Sequence, residues 1–262
     1  MQFAQLPDGW EAATRYHRLK RLLPGHLRAE VQDRAINAIL DRARSMLRHN
    51  SRPTRRRQDS WPGEGELDLD ATLDAPRPWG PDDLVVERSE AREADVVAIL
   101  DMSLSMTGEK VALTALATVI LRLRLDRLAV VAFDTRAHRL VRVGEEVTPR
   151  ELVRRILEVP AQGYTNIEDG LRQSLDELRH SRRRERVGVL MSDGIANVGG
   201  DPVRVAAQFP RLHVVQIGPE EPQGSRCCTR MAQAGRGRRY RAETWEALPE
   251  VVRRLVRECF RA

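Results

Sequence analysis

The stretch "VVAILDMSLSM", Val96–Met106, decides how this chain folds. An unbroken apolar run ends at Leu100, a carboxylate follows at Asp101, and two hydroxyls come next at alternate positions, Ser103 and Ser105. A short run rich in valine and isoleucine, without polar alternation, suits a strand covered on both faces. Such strands belong to parallel sheets. Three runs of the same kind follow, "RLAVVAFD", "RVGVLMSDG" and "LHVVQIG". Between them lie helical patterns, "GEKVALTALATVILRLRL" and "IEDGLRQSLDELRHS", then "PVRVAAQF" and "TWEALPEVVRRLVRECF". "AHRLVRVG" alternates polar and apolar residues and reads as an added strand in a hairpin with "LAVVAFD". Strand–helix alternation of this kind predicts an α/β fold: a doubly wound, mostly parallel open sheet flanked by helices.

The rest of the chain sets boundaries. Its 262 residues bury a sizeable core, and an apolar fraction of 41% fits a globular protein. No apolar stretch approaches the roughly 20 residues of a membrane helix, and the first residues lack the apolar core of a secretory signal. The expectation is a soluble, cytoplasmic protein. Three cysteines, Cys227, Cys228 and Cys259, two of them adjacent, make a poor disulfide or zinc framework and read as reduced thiols in helical regions.

The net charge of +6 is unevenly spread. Arg15 to Arg57 is strongly basic; an acidic, turn-rich stretch, "DSWPGEGELDLDATLDAPRPWGPDD", follows. The composition divides the chain into a basic helical extension (1–58), a linker with additional strands packing on the core (59–94), and the main domain (95–262). Within the extension, Leu27, Val31, Ala35, Ile36, Ile39, Leu40, Ala43 and Leu47 make one face of an amphipathic helix. Its other face is largely arginine. Arg28, Arg34, Arg42 and Arg48 are candidates for partner contact, against the simpler reading of a solvated face on a packed helix. No aromatic residues interleave with them as a single-strand binder requires.

In an open parallel sheet, ligands bind at the carboxyl ends of strands where strand order reverses. Asp101 ends one strand and Asp193, in "MSDG", ends another. Thr165, in "GYTNIEDG", lies in a loop just ahead of a helix. The fold gathers Asp101, Ser103, Ser105, Thr165 and Asp193 at one edge. This all-oxygen set of two carboxylates and three hydroxyls suits a hard divalent cation such as Mg²⁺, or Mn²⁺. With few protein anions on it, the metal keeps a position open, and a carboxylate from another protein fits there. Each element also has a structural reading: Ser105, Thr107, Thr165 or Asn166 as a helix cap, Asp193-Gly194 as a turn. Their joint occurrence at three loops of one sheet favours the site.

"DMSLS", the Thr of "GYTN" and the Asp of "SDG" resemble the metal-ion-dependent adhesion site of the von Willebrand factor type A (VWA) family, in the family's order. By that resemblance, Ser103, Ser105 and Thr165 are inner ligands, and Asp101 and Asp193 act largely through water. Leu104 stands where the family often has glycine, and Ser192 where threonine is frequent. The resemblance runs from about Asp95 to the C-terminus. The preceding segment, through "LDLDATLDA" and "LVVERSEAREADVV", is similar to that before the VWA region of bacterial CoxE-like proteins and of the magnesium chelatase D subunit. Both groups work with AAA+ ATPases, of the MoxR type in the first case. The resemblance implies a non-catalytic adaptor that recruits or remodels a client for an ATPase partner, often in metal-cofactor maturation. The sequence carries no phosphate-binding loop, no dinucleotide fingerprint and no nucleophile elbow. The other reading is a nucleic-acid-binding VWA protein using the arginine-rich helix.

Overall fold

A computed structural model describes residues 9–47, 54–60, 66–67, 84–91, 94–160 and 163–259. The chain divides into two compact units, 1–50 together with 94–262, and 51–93. In the larger unit, β4 (Asp95–Asp101), β5 (Leu128–Phe133), β6 (Ala137–Val141), β7 (Arg186–Ser192), β8 (Leu212–Ile217) and β9 (Arg236–Ala242) form one sheet in the order β6-β5-β4-β7-β8-β9. All neighbours are parallel except β5 and β6, which make the expected antiparallel hairpin. The chain leaves β4 towards β5 and later returns on its other side with β7. Strand order therefore reverses at β4, the strand that ends in Asp101.

The helices are α3 (Glu109–Arg124), α4 (Pro149–Glu158), α5 (Ile167–Arg179), α6 (Pro202–Ala206), α7 (Pro222–Ala234) and α8 (Leu248–Cys259). Every residue of β4 is buried, as a strand covered on both faces must be. Val96, Ala98 and Leu100 face a core shared with α3, α4 and α8. Val97 and Ile99 face the other side, where α5, α6 and α7 pack around Phe133 and Phe209. The three cysteines are free, in α7 and α8.

The basic segment folds into α1 (Gly9–Leu19) and α2 (Gly25–Leu47). The stripe on α2 is buried as its periodicity predicts, through Val31, Ala35, Ile36, Ile39, Leu40 and Ala43. With Ala12, Ala13 and Tyr16 of α1 it joins the core of α3 and α4. Polar contacts complete the seam. The Lys20 ammonium donates to the carbonyls of Leu157, Glu158 and Val159 at 2.8, 3.2 and 2.7 Å, closing the C-terminal end of α4. There it also meets the negative end of the helix dipole. Tyr16 and Gln32 donate to Glu158 at 2.9 and 2.6 Å, and Arg28 pairs with the same carboxylate.

The second unit holds β1 (Thr54–Ser60), β2 (Glu66–Leu67) and β3 (Val85–Ala91), an antiparallel sheet in the order β1-β3-β2. Its first strand corrects the expected helical extent of 1–58. Residues 54–58 are extended, with Arg55 in register with Glu90 and Gln58 with Glu87. The run "TRRRQDS" has no apolar stripe to bury as a helix, and an acidic strand partner satisfies its backbone instead.

Candidate metal centre

The site grows from the last residue of β4. Asp101 lies level with Phe133 of β5, and Leu100 level with Met191 of β7, so the ends of three strands meet there. The chain turns at once: the Met102 amide donates to the Phe133 carbonyl at 2.7 Å. A short 3-10 turn, Leu104–Met106, follows, in which the Met106 amide donates to the Ser103 carbonyl at 3.0 Å. Met102 and Met106 are fully buried and pin both ends of the turn, while Leu104 between them is 65% exposed. The tightness of the turn brings the Ser103 and Ser105 hydroxyls within 3.2 Å of each other.

Asp101 is fully buried. Its Oδ1 accepts from the Ser103 amide at 3.0 Å, and its Oδ2 from the Ser192 hydroxyl at 2.6 Å. Burial pushes its carboxyl up to about 6, against the lowering effect of the hydrogen bonds from Ser103 and Ser192, with the nearby Asp193 charge adding to the rise. Ser192 also accepts from the Gly194 amide at 2.9 Å, so one hydroxyl joins two loops. Gly194 has a φ of 82°, and a Cβ there would come within 2.5 Å of Cys228 Sγ and of the Gly224 carbonyl oxygen. The "SDG" turn thus requires glycine on both counts.

Asp193 is almost fully buried. Its Oδ1 accepts from the Ile195 amide at 3.2 Å, and its Oδ2 from Lys110 at 2.9 Å. Thr165 is also buried, at 1% exposure, and its loop is held from two sides. Its amide donates to Asn197 Oδ1 at 3.3 Å, and its carbonyl accepts from the Asn197 and Val198 amides at 3.1 and 3.4 Å. On the other side, the Asn166 amide donates to the Asp134 carbonyl at 2.9 Å. The Asn166 side chain caps α5 through the Asp169 amide, while its Nδ2 donates to the Thr135 carbonyl. Direct hydrogen bonds thus link Asp101, Ser103, Ser105 and Ser192, and the chain carries them on to Asp193. Thr165 joins through its backbone, clamped between the loops that follow β5 and β7.

The donor set fits a hard divalent ion. Of the two buried carboxylates only Asp193 has an ammonium beside it among the described residues, so added positive charge would be favoured, and Ser103, Ser105 and Thr165 could contribute neutral oxygens. Among the described residues no group of three His, Cys, Asp or Glu side chains forms a softer metal cluster. Two participants are not among the site residues expected from the sequence. Ser192 stood there only as a substitute for threonine, yet its hydroxyl is a direct partner of Asp101. Lys110 was not singled out. Its signal was present, because a lysine in the first turn of a helix opposes the helix dipole and needs an anion nearby.

The arginine candidates of α2 fare differently. Arg28 pairs with Glu158, and Arg34 pairs with Glu30 one turn away at 2.6 Å. The Arg42 guanidinium lies over the Trp10 ring, 4.0 Å from its centroid. Arg48 lies outside the described residues. The three described arginines thus contact groups on their own unit.

Residues 37–236 match the family of VWA-domain-containing CoxE-like proteins. The match starts well before Asp95, inside α2, so the family pattern includes part of the helical segment. No curated protein matches the sequence. The solved structures it resembles share the fold. A VWA protein from Catenulispora acidiphila has a TM-score of 0.54 at 19% identity, covering 67% of this chain and 45% of that one. An aerotolerance-related membrane protein from Bacteroides fragilis has 0.53 at 14%, covering 63% and 98%. Proximal thread matrix protein 1 from the mussel byssus, solved with zinc in its metal-ion-dependent adhesion site motif, has 0.53 at 18%, covering 63% and 46%. Among the described residues no helix is long and apolar enough to cross a membrane. With a mostly parallel six-stranded sheet and a family match over residues 37–236, this chain belongs to the VWA-domain-containing CoxE-like family.

Proposed function

We propose that the chain is a cytoplasmic, non-catalytic adaptor that binds a client or a MoxR-type AAA+ ATPase through a Mg²⁺-dependent contact. Ser103, Ser105 and Thr165 hold the ion, and Asp101 and Asp193 support it, Asp101 fixed in turn by Ser192. When bound, the ion supplies a Lewis-acid anchor for an Asp or Glu side chain of the partner. Held mainly by neutral hydroxyls, it keeps much of its charge for that carboxylate.

The observation that carries this reading is what surrounds the constellation. Three large hydrophobic side chains are strongly exposed among the described residues: Leu22, Leu104 and Tyr164. Leu104 sits between the two serines and Tyr164 directly precedes Thr165, at 65% and 63% exposure. Exposed apolar surface beside a polar centre suits a docking surface, and tyrosine is among the residues that most often anchor one. Burial lowers His17 to about 3 and His213 to about 4, so neither serves as a base near neutrality, and burial pushes the Cys228 thiol up to about 12. Use of the α2 arginines in packing and local ion pairs weighs against the nucleic-acid reading.

Co-purification with a co-expressed MoxR-type ATPase tests the proposal. The complex should form with Mg²⁺, dissociate with EDTA, and weaken for Thr165→Ala and for Leu104→Ala/Tyr164→Ala. Equal recovery in all four conditions contradicts it.

A further inference from the structure

We propose that Lys110 sets the strength of the metal site: its ammonium competes with the divalent ion for the Asp193 carboxylate and so makes tight retention depend on a partner's carboxylate. The inference rests on the reading of Asp101, Ser103, Ser105, Thr165 and Asp193 as a metal site.

The position of Lys110 is built into the fold. It lies in the first turn of α3, where a helix favours acidic side chains, and its Nζ is 2.9 Å from Asp193 Oδ2. Asp193 has a 5% exposed side chain and Lys110 a 24% exposed one, so solvent screens the pair only partly. The lysine stem reaches Asp193 past the end of β8. Gly218 there has a φ of 87°, and a Cβ on it would come within 2.7 Å of Lys110 Cε. Segments at the ends of three strands therefore hold one ammonium in place: the start of α3 after β4, Asp193 after β7 and Gly218 after β8.

Counting charge gives the consequence. Asp101, Asp193 and a divalent ion sum to zero by themselves, and an incoming carboxylate would then be surplus. With Lys110 the sum is one positive charge, which an incoming carboxylate cancels. The ammonium and the ion also repel each other across a partly desolvated gap, where such interactions are strong. Lys110 thus weakens the bare metal site and strengthens its demand for an external anion.

Calorimetric titration of Mg²⁺ into wild type, Lys110→Met, Lys110→Arg and Asp101→Ala tests this. Lys110→Met should bind Mg²⁺ about tenfold more tightly or better, Lys110→Arg as wild type, and Asp101→Ala not at all. Lys110→Gln loses the charge but keeps a donor, and it gives the same reading should the methionine variant fail to fold. With chelator, Lys110→Met should melt below wild type, because Asp193 has lost its cation, and added Mg²⁺ should remove the gap. A lysine with only a structural role would leave the gap unchanged. If wild type binds Mg²⁺ and the neutral variants bind it equally or more weakly, the role of Lys110 is overturned and the metal site stands. If Asp101→Ala binds like wild type, or no variant binds, the metal site falls and this inference with it.

Discussion

Gly170→Ala probes the seam between the core and the site, and two effects of opposite sign act on it. Alanine in place of glycine inside a helix gains about 1 kcal/mol from propensity alone. Here, however, α5 rests directly on Phe133, and a Cβ on residue 170 would lie 2.5 Å from Phe133 Cδ1 and 2.7 Å from its Cγ. Phe133 is fully buried at the end of β5, level with Asp101, and its carbonyl accepts the Met102 amide. A fully buried ring in a close-packed core has little room to yield. Overpacking of a close-packed core costs about 1–3 kcal/mol, and more when the neighbour cannot shift. The contacts of 2.5 and 2.7 Å put the cost towards the upper end of that range, so the clash should win, leaving a net loss of up to about 2 kcal/mol. Each kcal/mol corresponds to roughly 2–4 °C in Tm for a chain of this size class. The displaced helix would also carry the Thr165 loop away from Asp101, so stabilisation by Mg²⁺ should shrink. Thermal melts with and without Mg²⁺ give both readings, and Gly170→Ala/Phe133→Leu should recover part of each. A Gly170→Ala protein about 1 kcal/mol more stable than wild type, with its Mg²⁺ response intact, refutes the reasoning.

Ser192→Ala removes one hydrogen bond to a fully buried carboxylate and should cost about 1–3 kcal/mol in urea unfolding, with Ser192→Thr close to wild type; an alanine variant as stable as wild type counts against the hydroxyl bridge. His17 is held near 3 by burial and then by the Lys20 charge, and neither ring nitrogen has a partner. The unfolded chain protonates it below about 6.5 while the folded chain does not. Its stability contribution is thus complete above that pH and is lost as pH falls towards 3. Between pH 7.5 and 5, wild type should therefore lose about 2 kcal/mol relative to His17→Phe. Parallel pH profiles of the two proteins would rule this out.

The sequence was most legible where burial is most complete. β4, β5, β7 and β8 are continuous apolar runs because helices cover both their faces, and each was readable from composition alone. β9, "RGRRYRA", was not, because it is an edge strand whose charged side chains reach solvent. Nor was α4 singled out, although Thr148 accepts from the Glu151 amide and Pro149 opens the helix, a start signal in plain view. At the site, Asp101, Ser103, Ser105, Thr165 and Asp193 were recognisable because each follows a strand or precedes a helix. The Lys110–Asp193 pair spans 83 residues of sequence and exists only once the sheet has formed. The surroundings of the α2 arginines were illegible for the same reason: a basic helix face looks free in sequence, but the carboxylate and ring that engage Arg28 and Arg42, Glu158 and Trp10, lie on other helices.

The central claim is that the ends of β4 and β7 and the Thr165 loop together bind one divalent ion. A crystal of the protein grown or soaked with Mn²⁺, measured for anomalous scattering, tests it directly. The account predicts one strong peak about 2.1 Å from the hydroxyl oxygens of Ser103, Ser105 and Thr165, with Asp101 and Asp193 beside it. The peak should be lost in Asp101→Ala crystals that keep the fold. No peak at saturating Mn²⁺, or a peak away from these three hydroxyls, would contradict the account.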